Sequence, residues 1–302
     1  MVTKNDDASG YWGNLSGALV AHPTGSKPGL VGELYSNLED MMAADEADKK
    51  AATSDGDKEP VFLVYGSTGW IGGKFGKLLT EQGHKWSYSR AGLEDRQAVL
   101  DDTKRGNCTH VLCATGVIDR PNVDWCEDHK TETIRVNAIG ILNLCDIALL
   151  NDVHVTNFAT GCIYKHDDEH TIGGKRFTED DDPNFGGSFY SETKSYMEMM
   201  LRHYPNVMQC RVRMPTDGDL QNPRNFITKI ANYAKVVNIP NSMTVLEEFV
   251  PMAFEGAIRK LTGPYNWINP VRFRTTKSWS CTAIIATPGS RWETSRRRNR
   301  QR

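Results

Sequence analysis

The stretch Val61-Phe-Leu-Val-Tyr-Gly-Ser-Thr-Gly-Trp-Ile-Gly-Gly73, continued by Lys74-Phe-Gly-Lys-Leu-Leu-Thr-Glu-Gln82, decides the fold. Val61–Tyr65 is a short apolar run that ends directly in glycines, and a helical pattern follows them. Strand, glycine turn, helix is the context in which a dinucleotide fingerprint has physical meaning. Glycines let the backbone turn tightly and approach a pyrophosphate, and the helix N-terminus supplies unpaired N–H groups and a partial positive charge. The spacing is GxxGxxG rather than GxGxxG, and a plain tight turn is the competing reading.

Outward from this unit, Thr109–Gly116, Val155–Thr160 and Asn206–Arg213 are further strand candidates. Helical periods stand between them, notably Asn137–Leu150 and Ser191–His203. Alternating strands and helices predict an α/β, Rossmann-type, doubly wound parallel sheet. A small C-terminal substrate-binding domain is expected to complete it. The 302 residues are 39 % hydrophobic and 25 % charged, ordinary globular values for one large or two small domains.

Residues 1–60 read as an acidic, disordered arm with net charge -6, and 61–270 as the folded body with -4. Residues 271–302 form a basic tail with +8, ending in Ser295-Arg-Arg-Arg-Asn-Arg-Gln-Arg302, a composition usual for disordered segments. The near-neutral total of -2 gives no reason to expect nucleic acid as the main partner. No run of about 18 apolar residues is evident, so no membrane span is expected, and the N-terminus lacks the pattern of a signal peptide. Seven cysteines without a CxxC pair argue against a disulfide framework and a structural metal site, and predict a reducing, cytoplasmic setting.

Within the turn, Gly66, Thr68, Gly69, Trp70, Ile71 and Gly72 are the candidate cofactor contacts, with Ala114 and Gly116 at the end of the third strand. An acid ending the second strand would bind an NAD ribose; about 20 residues after the glycines stands Ser89-Arg90 instead. A guanidinium there suits a 2′-phosphate, so NADPH is expected. Glu94 and Asp95, slightly later, keep NADH open. Tyr190 and Lys194 are i and i+4 on a helix and share a face. An ammonium beside a phenol predicts a lowered phenol pKa and a proton donor to a carbonyl receiving hydride. Thr160, at a strand end, can offer a second hydroxyl to the same oxygen. Cys162, two residues on, is expected on the same side by strand alternation.

Together these motifs resemble the extended short-chain dehydrogenase/reductase family, most closely its bifunctional nucleotide-rhamnose synthases, similar to dTDP-4-dehydrorhamnose reductases. Gly116-Val-Ile-Asp-Arg-Pro-Asn-Val-Asp-Trp-Cys126, Asn157-Phe-Ala-Thr-Gly-Cys-Ile-Tyr164, Pro183–Lys194, Arg211–Pro215, Asn222–Ile230 and Val236–Val245 carry the resemblance over about residues 61–270. It implies epimerisation at C3 and C5 of UDP- or dTDP-4-keto-6-deoxy-glucose, then NADPH-dependent reduction at C4 to the L-rhamnose nucleotide. Cys162 and Lys229 match the opposing base and acid of the epimerisation. Arg120, Asn122, Asn184, Arg213, Arg224 and Asn225 are the candidates for the nucleoside diphosphate, and Asn137 for ordering backbone near the site. The 4-keto sugar is expected from a separate 4,6-dehydratase, and a homodimer is compatible with the family. After Pro270 the resemblance stops; an alternative chain end and a nuclear-targeting or RNA-binding tail are the readings of Trp279, Trp292 and the arginines. Two other functions stay open: a plain 4-keto reductase, and a non-catalytic regulatory subunit like that of methionine adenosyltransferase.

Overall fold

A computed structural model describes residues 59–117, 123–233, 240–269 and 273–274. The arm up to residue 58, Arg120, Asn122 and most of the basic tail lie outside the described residues. Nine strand segments relevant to the site are β1 (Val61–Tyr65), β2 (Lys85–Tyr88), β3 (His110–Cys113), β4 (His154–Thr160), β5 (Val207–Val212), β6 (Pro215–Thr216), β7 (Pro240–Asn241), β8 (Thr244–Val245) and β9 (Gly263–Trp267). Six form one parallel sheet in the order β2-β1-β3-β4-β5-β9. The chain winds one way from β1 to β2 and the other way through β3 to β9. That reversal opens a crevice beyond the carboxyl ends of β1 and β3, where open α/β sheets bind ligands.

The helices are α1 (Trp70–Glu81), α2 (Arg96–Arg105), α3 (Trp125–Asp128), α4 (Lys130–Ile134), α5 (Ile141–Leu150), α6 (Phe189–Leu201), α7 (Phe226–Ala231) and α8 (Leu246–Ile258). Strand alternation explains the two-sided core. Phe62 and Val64 of β1 pack with Phe75 and Leu79 of α1 and with Leu246, Phe249 and Ala253 of α8. Leu63 and Tyr65 face the opposite layer, with Val99 of α2, Ile141 and Leu144 of α5, and Met197 and Leu201 of α6. Such two-faced burial is what a parallel sheet requires. A smaller cluster of Met214, Phe226, Ile230 and Met243 sits with the β6–β8 pair, the core of the expected substrate segment.

Two expectations change. The helical stretch Lys130–Leu150 is long and apolar enough by composition to cross a membrane. In the fold its second half packs on the core, with Ile141, Leu144, Cys145, Ile147 and Ala148 buried against the sheet. Second, Phe273–Arg274 pairs antiparallel with β7, so β-structure continues past the boundary read at residue 270.

At the opposite edge of the sheet, His110 and His154 are buried neighbours in register on β3 and β4, with ring centroids 5.8 Å apart. His154 Nε2 donates to the Leu261 carbonyl at 2.7 Å. Burial, then the adjacent His154 and Lys260, push His110 down to about 4, and burial also lowers His154. Both are therefore neutral in the fold while the unfolded chain takes protons near its ordinary value. For His110, stability is thus fully present above about pH 6.5 and is lost as pH falls towards about 4, by up to ~1.4 kcal/mol per pH unit, and His154 acts in the same direction. Urea midpoints measured across this range should fall with acid, and His110→Leu should flatten the dependence; an unchanged slope would contradict the assignment.

Candidate active site

The glycine turn is built around one carbonyl. Gly66 has φ +81°, a left-handed conformation that favours glycine, and a β carbon on it would come 2.6 Å from the Ala114 carbonyl oxygen. Gly69 N–H donates to the Gly66 carbonyl at 2.9 Å, and a β carbon on Gly69 would sit 2.9 Å from that oxygen. A β carbon on Gly72 would collide with the same oxygen and touch Ala114 Cβ. The turn therefore closes onto the end of β3. Gly69 caps α1 without a side-chain hydrogen bond, and no acid stands in the first helical turn. The first N–H groups of α1 are left for an anion, and the space that side chains would fill is kept for a close ligand. This cradle fits the pyrophosphate of a dinucleotide. Thr68 is exposed at the tip, with Trp70 and Ile71 half-buried beside it.

Arg90 is exposed directly after β2. Ser89 before it donates to Asp102 at 2.5 Å, and Ser89 N–H extends the sheet to the Val64 carbonyl. The later acid Asp95 is the N-cap of α2, its carboxylate accepting from Ala98 N–H at 3.0 Å. Of the residues weighed for the ribose, Arg90 is thus at the strand end and Asp95 is committed to the helix.

On the other side of the crevice, α6 carries Tyr190 and Lys194. Ser188 caps it through Ser191 N–H, and Glu127 accepts from Phe189 N–H at 2.7 Å, so an acid distant in sequence fixes the helix start. Two turns on, Glu198 forms a buried pair with Arg211 of β5: Nε to Oε2 at 2.9 Å and Nη2 to Oε1 at 2.5 Å. Tyr190, Lys194 and Glu198 follow at i, i+4 and i+8, so this pair fixes the face they share.

The Tyr190 phenol lies close enough to the Thr160 hydroxyl and the Cys162 thiol for both to act on its acidity. Thr160 Oγ1 accepts from Cys162 N–H at 3.1 Å. Strand alternation is not the reason Thr160 and Cys162 meet, because β4 ends at Thr160; a hydroxyl-to-backbone turn brings Cys162 back. Arg213 supports this turn. Fully buried, it donates to the Gly161 carbonyl at 2.6 Å and to Asn241 at 2.6 Å.

The expected lowering of the Tyr190 phenol does not occur. Burial, followed by Cys162, pushes it up, while Thr160 pulls the other way. The Lys194 ammonium is itself pushed down by burial and acts with Cys113 and Cys126. Its Nζ lies 4.0 Å from where a β carbon of Gly116 would stand, towards the end of β3. Tyr190 therefore holds its proton at neutral pH, which is the form a donor requires.

Asn137 lies in a π-helical segment, Arg135–Gly140, and its amide makes both bonds to Val117, 2.9 Å to N–H and 2.9 Å to the carbonyl. Such segments are frequent at functional sites. Here it holds the chain after Gly116 in place. Five other described cysteines (108, 113, 126, 145, 210) are buried with thiols pushed up by burial, whereas Cys162 is only half-buried.

Three diphosphate candidates have different employment. Asn184 clamps Lys165 through both backbone groups and donates to Asp167 at 2.7 Å. Asn225 is the buried N-cap of α7, bonded to Asp217, Asp219, Thr216 and Ile227. Arg213 is the clamp on Gly161. Short polar side chains in turns favour this use, and sequence alone does not separate it from ligand binding. Lys229, on α7, is half-buried, and burial with the neighbouring Arg224 pushes its ammonium down. Asp217 was not among the expected residues: it accepts from Trp70 Nε1 at 3.0 Å and pairs with Lys74 Nζ at 2.6 Å. Its segment, Pro215-Thr-Asp-Gly-Asp219, carries no motif that would mark it.

Gly72→Ala is expected to cost about 1–3 kcal/mol of stability through the forced shift of the turn, and to weaken dinucleotide binding at least ~10-fold. Titration of the variant with NADPH, beside a thermal melt, checks this; wild-type affinity would contradict the cradle.

Residues 62–216 match the NAD dependent epimerase/dehydratase family. A bifunctional dTDP-4-dehydrorhamnose 3,5-epimerase/dTDP-4-dehydrorhamnose reductase of Arabidopsis thaliana is 54 % identical over 210 residues, covering 69 % of this chain and 70 % of that protein. A trifunctional UDP-glucose 4,6-dehydratase/UDP-4-keto-6-deoxy-D-glucose 3,5-epimerase/UDP-4-keto-L-rhamnose-reductase of the same plant is 49 % identical over 274 residues, 86 % of this chain. The chain spans only 41 % of that relative's length. Among solved structures, the L780 UDP-rhamnose synthase of Acanthamoeba polyphaga mimivirus superposes with TM-score 0.73 at 32 % identity, over 78 % of this chain and 84 % of its own. With the parallel sheet, the glycine cradle and the Thr160–Tyr190 pair, these matches show that the chain belongs to the NAD dependent epimerase/dehydratase family.

Proposed function

We propose that the chain is an NADPH-dependent 3,5-epimerase/4-reductase that converts UDP- or dTDP-4-keto-6-deoxy-glucose into the L-rhamnose nucleotide. The observation that carries this reading is the meeting of Thr160, Cys162 and Tyr190 at the end of β4, with Lys194 of the same helix as Tyr190 reaching towards Gly116 after β3. The relatives' activities, as their names give them, support the same substrate class.

The C4 ketone acidifies the protons on C3 and C5, because the enolate left behind spreads charge onto the carbonyl oxygen. In this reading the Cys162 sulfur removes the proton on one face and the Lys229 ammonium returns one on the other. A lowered ammonium pKa makes Lys229 a readier acid than an ordinary lysine. The protonated Tyr190 then gives its proton to O4, with the Thr160 hydroxyl hydrogen-bonded to the same oxygen. A bound nicotinamide supplies hydride to C4. Lys194, near Gly116, holds the ligand edge beside Tyr190. Exposed Arg90 at the end of β2 and the commitment of Asp95 to its helix favour a 2′-phosphate, hence NADPH. The keto sugar is the product of a 4,6-dehydratase, and the unpaired described cysteines fit a cytoplasmic setting.

Purified chain mixed with UDP-4-keto-6-deoxy-glucose and NADPH should oxidise the cofactor and yield UDP-L-rhamnose; neither product nor oxidation would sink the proposal. Cys162→Ser should lose solvent deuterium exchange at C3 and C5 while still binding NADPH. Tyr190→Phe should show the converse, retaining exchange while reduction falls on the order of 10²–10⁴-fold. Exchange that survives Cys162→Ser would remove that thiol from the mechanism.

A further inference from the structure

We propose that Arg224, although carried by the segment that supplies Lys229, is a cofactor residue whose guanidinium grips the dinucleotide pyrophosphate over the Gly66–Gly72 turn, held there by Asp217. The proposal rests on the functional reading only in taking a nicotinamide dinucleotide as the ligand of that turn. The sequence resemblance placed Arg224 with the sugar nucleotide instead.

The geometry is direct. A β carbon on Gly69 would stand 3.6 Å from Arg224 Nη1, so the guanidinium lies against the N-cap of α1. Charge points the same way. Lys74, the cation in the first turns of α1, is already neutralised by Asp217 at 2.6 Å. Arg224 is exposed and pairs with no carboxylate among the described residues, and it works against the ammonium of Lys229 nearby. The Arg224 guanidinium and the positive end of a twelve-residue helix thus share one space, with no acid in the helix's first turn. Like charges so placed repel unless an anion enters. A pyrophosphate carries that anion, and a guanidinium can meet it with two parallel hydrogen bonds.

Asp217 sets the register. One oxygen, Oδ2, takes Trp70 Nε1 and Lys74 Nζ from α1, while Oδ1 takes Asn225 Nδ2 at 3.0 Å, one residue from Arg224. A single buried carboxylate therefore ties the phosphate-binding helix to the segment bearing Arg224 and Lys229. Cofactor binding then steadies the segment that acts on the sugar, and by linkage the sugar tightens the cofactor.

The test titrates wild type, Arg224→Ala and Arg224→Lys with NADPH and with adenosine 2′-monophosphate, no sugar being present. Arg224→Ala should weaken NADPH on the order of 10–100-fold, the usual worth of a hydrogen bond to a charged group. Arg224→Lys should recover part of the loss. Adenosine 2′-monophosphate, which lacks the pyrophosphate, should bind all three alike. Asp217→Asn should also weaken NADPH, and combined with Arg224→Ala it should add less than its own separate effect. Unchanged NADPH affinity in Arg224→Ala, with a raised KM for the sugar nucleotide, would return Arg224 to the substrate site and overturn the proposal alone. Wild-type chain that binds neither NADPH nor NADH would overturn the functional reading and this proposal together.

Discussion

One carbonyl oxygen governs the carboxyl edge of the sheet. The Gly66 oxygen accepts from Gly69 and is approached so closely by the α carbons of Gly69 and Gly72 that neither tolerates a side chain. This packing brings α1 down onto β1 and presses the turn against Ala114 at the end of β3. The crevice between β1 and β3, the open N-terminus of α1 and the placement of Arg224 beside it all follow. A methyl group here has nowhere to go, because its neighbours are backbone atoms rather than side chains that could swing aside.

The opposite wall is held by different physics. Arg211 and Glu198 are both buried, and Arg211 also reaches the Thr178 carbonyl at 3.1 Å and Asn266 at 3.2 Å. A buried ion pair adds little net stability, yet removing one partner typically costs about 3–5 kcal/mol because the other charge is stranded. Its consequence is geometric: α6 is fixed in rotation and height on β5, and with it Tyr190 and Lys194. Arg213, one strand-alternation further along the chain, does the same for the Gly161 carbonyl between Thr160 and Cys162. Two buried arginines in one sequence string thus set Tyr190 and Lys194 relative to Thr160 and Cys162.

The parts legible in the sequence are those whose cause is local. The β1–turn–α1 unit declares itself because strand, glycines and helix are contiguous, and the Tyr190–Lys194 spacing carries its own geometry. The identity of Asn225 as a cap, of Asn184 as a loop clamp and of Asp217 as a latch depends on partners distant in sequence or in another element, so residue type alone pointed to ligands. α8 is masked by Pro251 within it, a residue that ordinarily argues against a helix interior. β9 opens with Gly263-Pro264, which reads as a turn, yet it pairs along β5 as the edge strand, where proline is tolerated. The Tyr190 phenol departs from its sequence expectation for a related reason: the shared helix face is legible, but burial, which outweighs it, is not.

The central claim is that one site both exchanges the protons flanking the ketone and reduces it. The most direct measurement is the mass of the nucleotide sugar formed in deuterated water with NADPH deuterated at the transferred position. Three carbon-bound deuterium atoms are predicted, two from solvent at C3 and C5 and one from the cofactor at C4. A product carrying the cofactor's deuterium alone would contradict the account, leaving a reductase without epimerase chemistry.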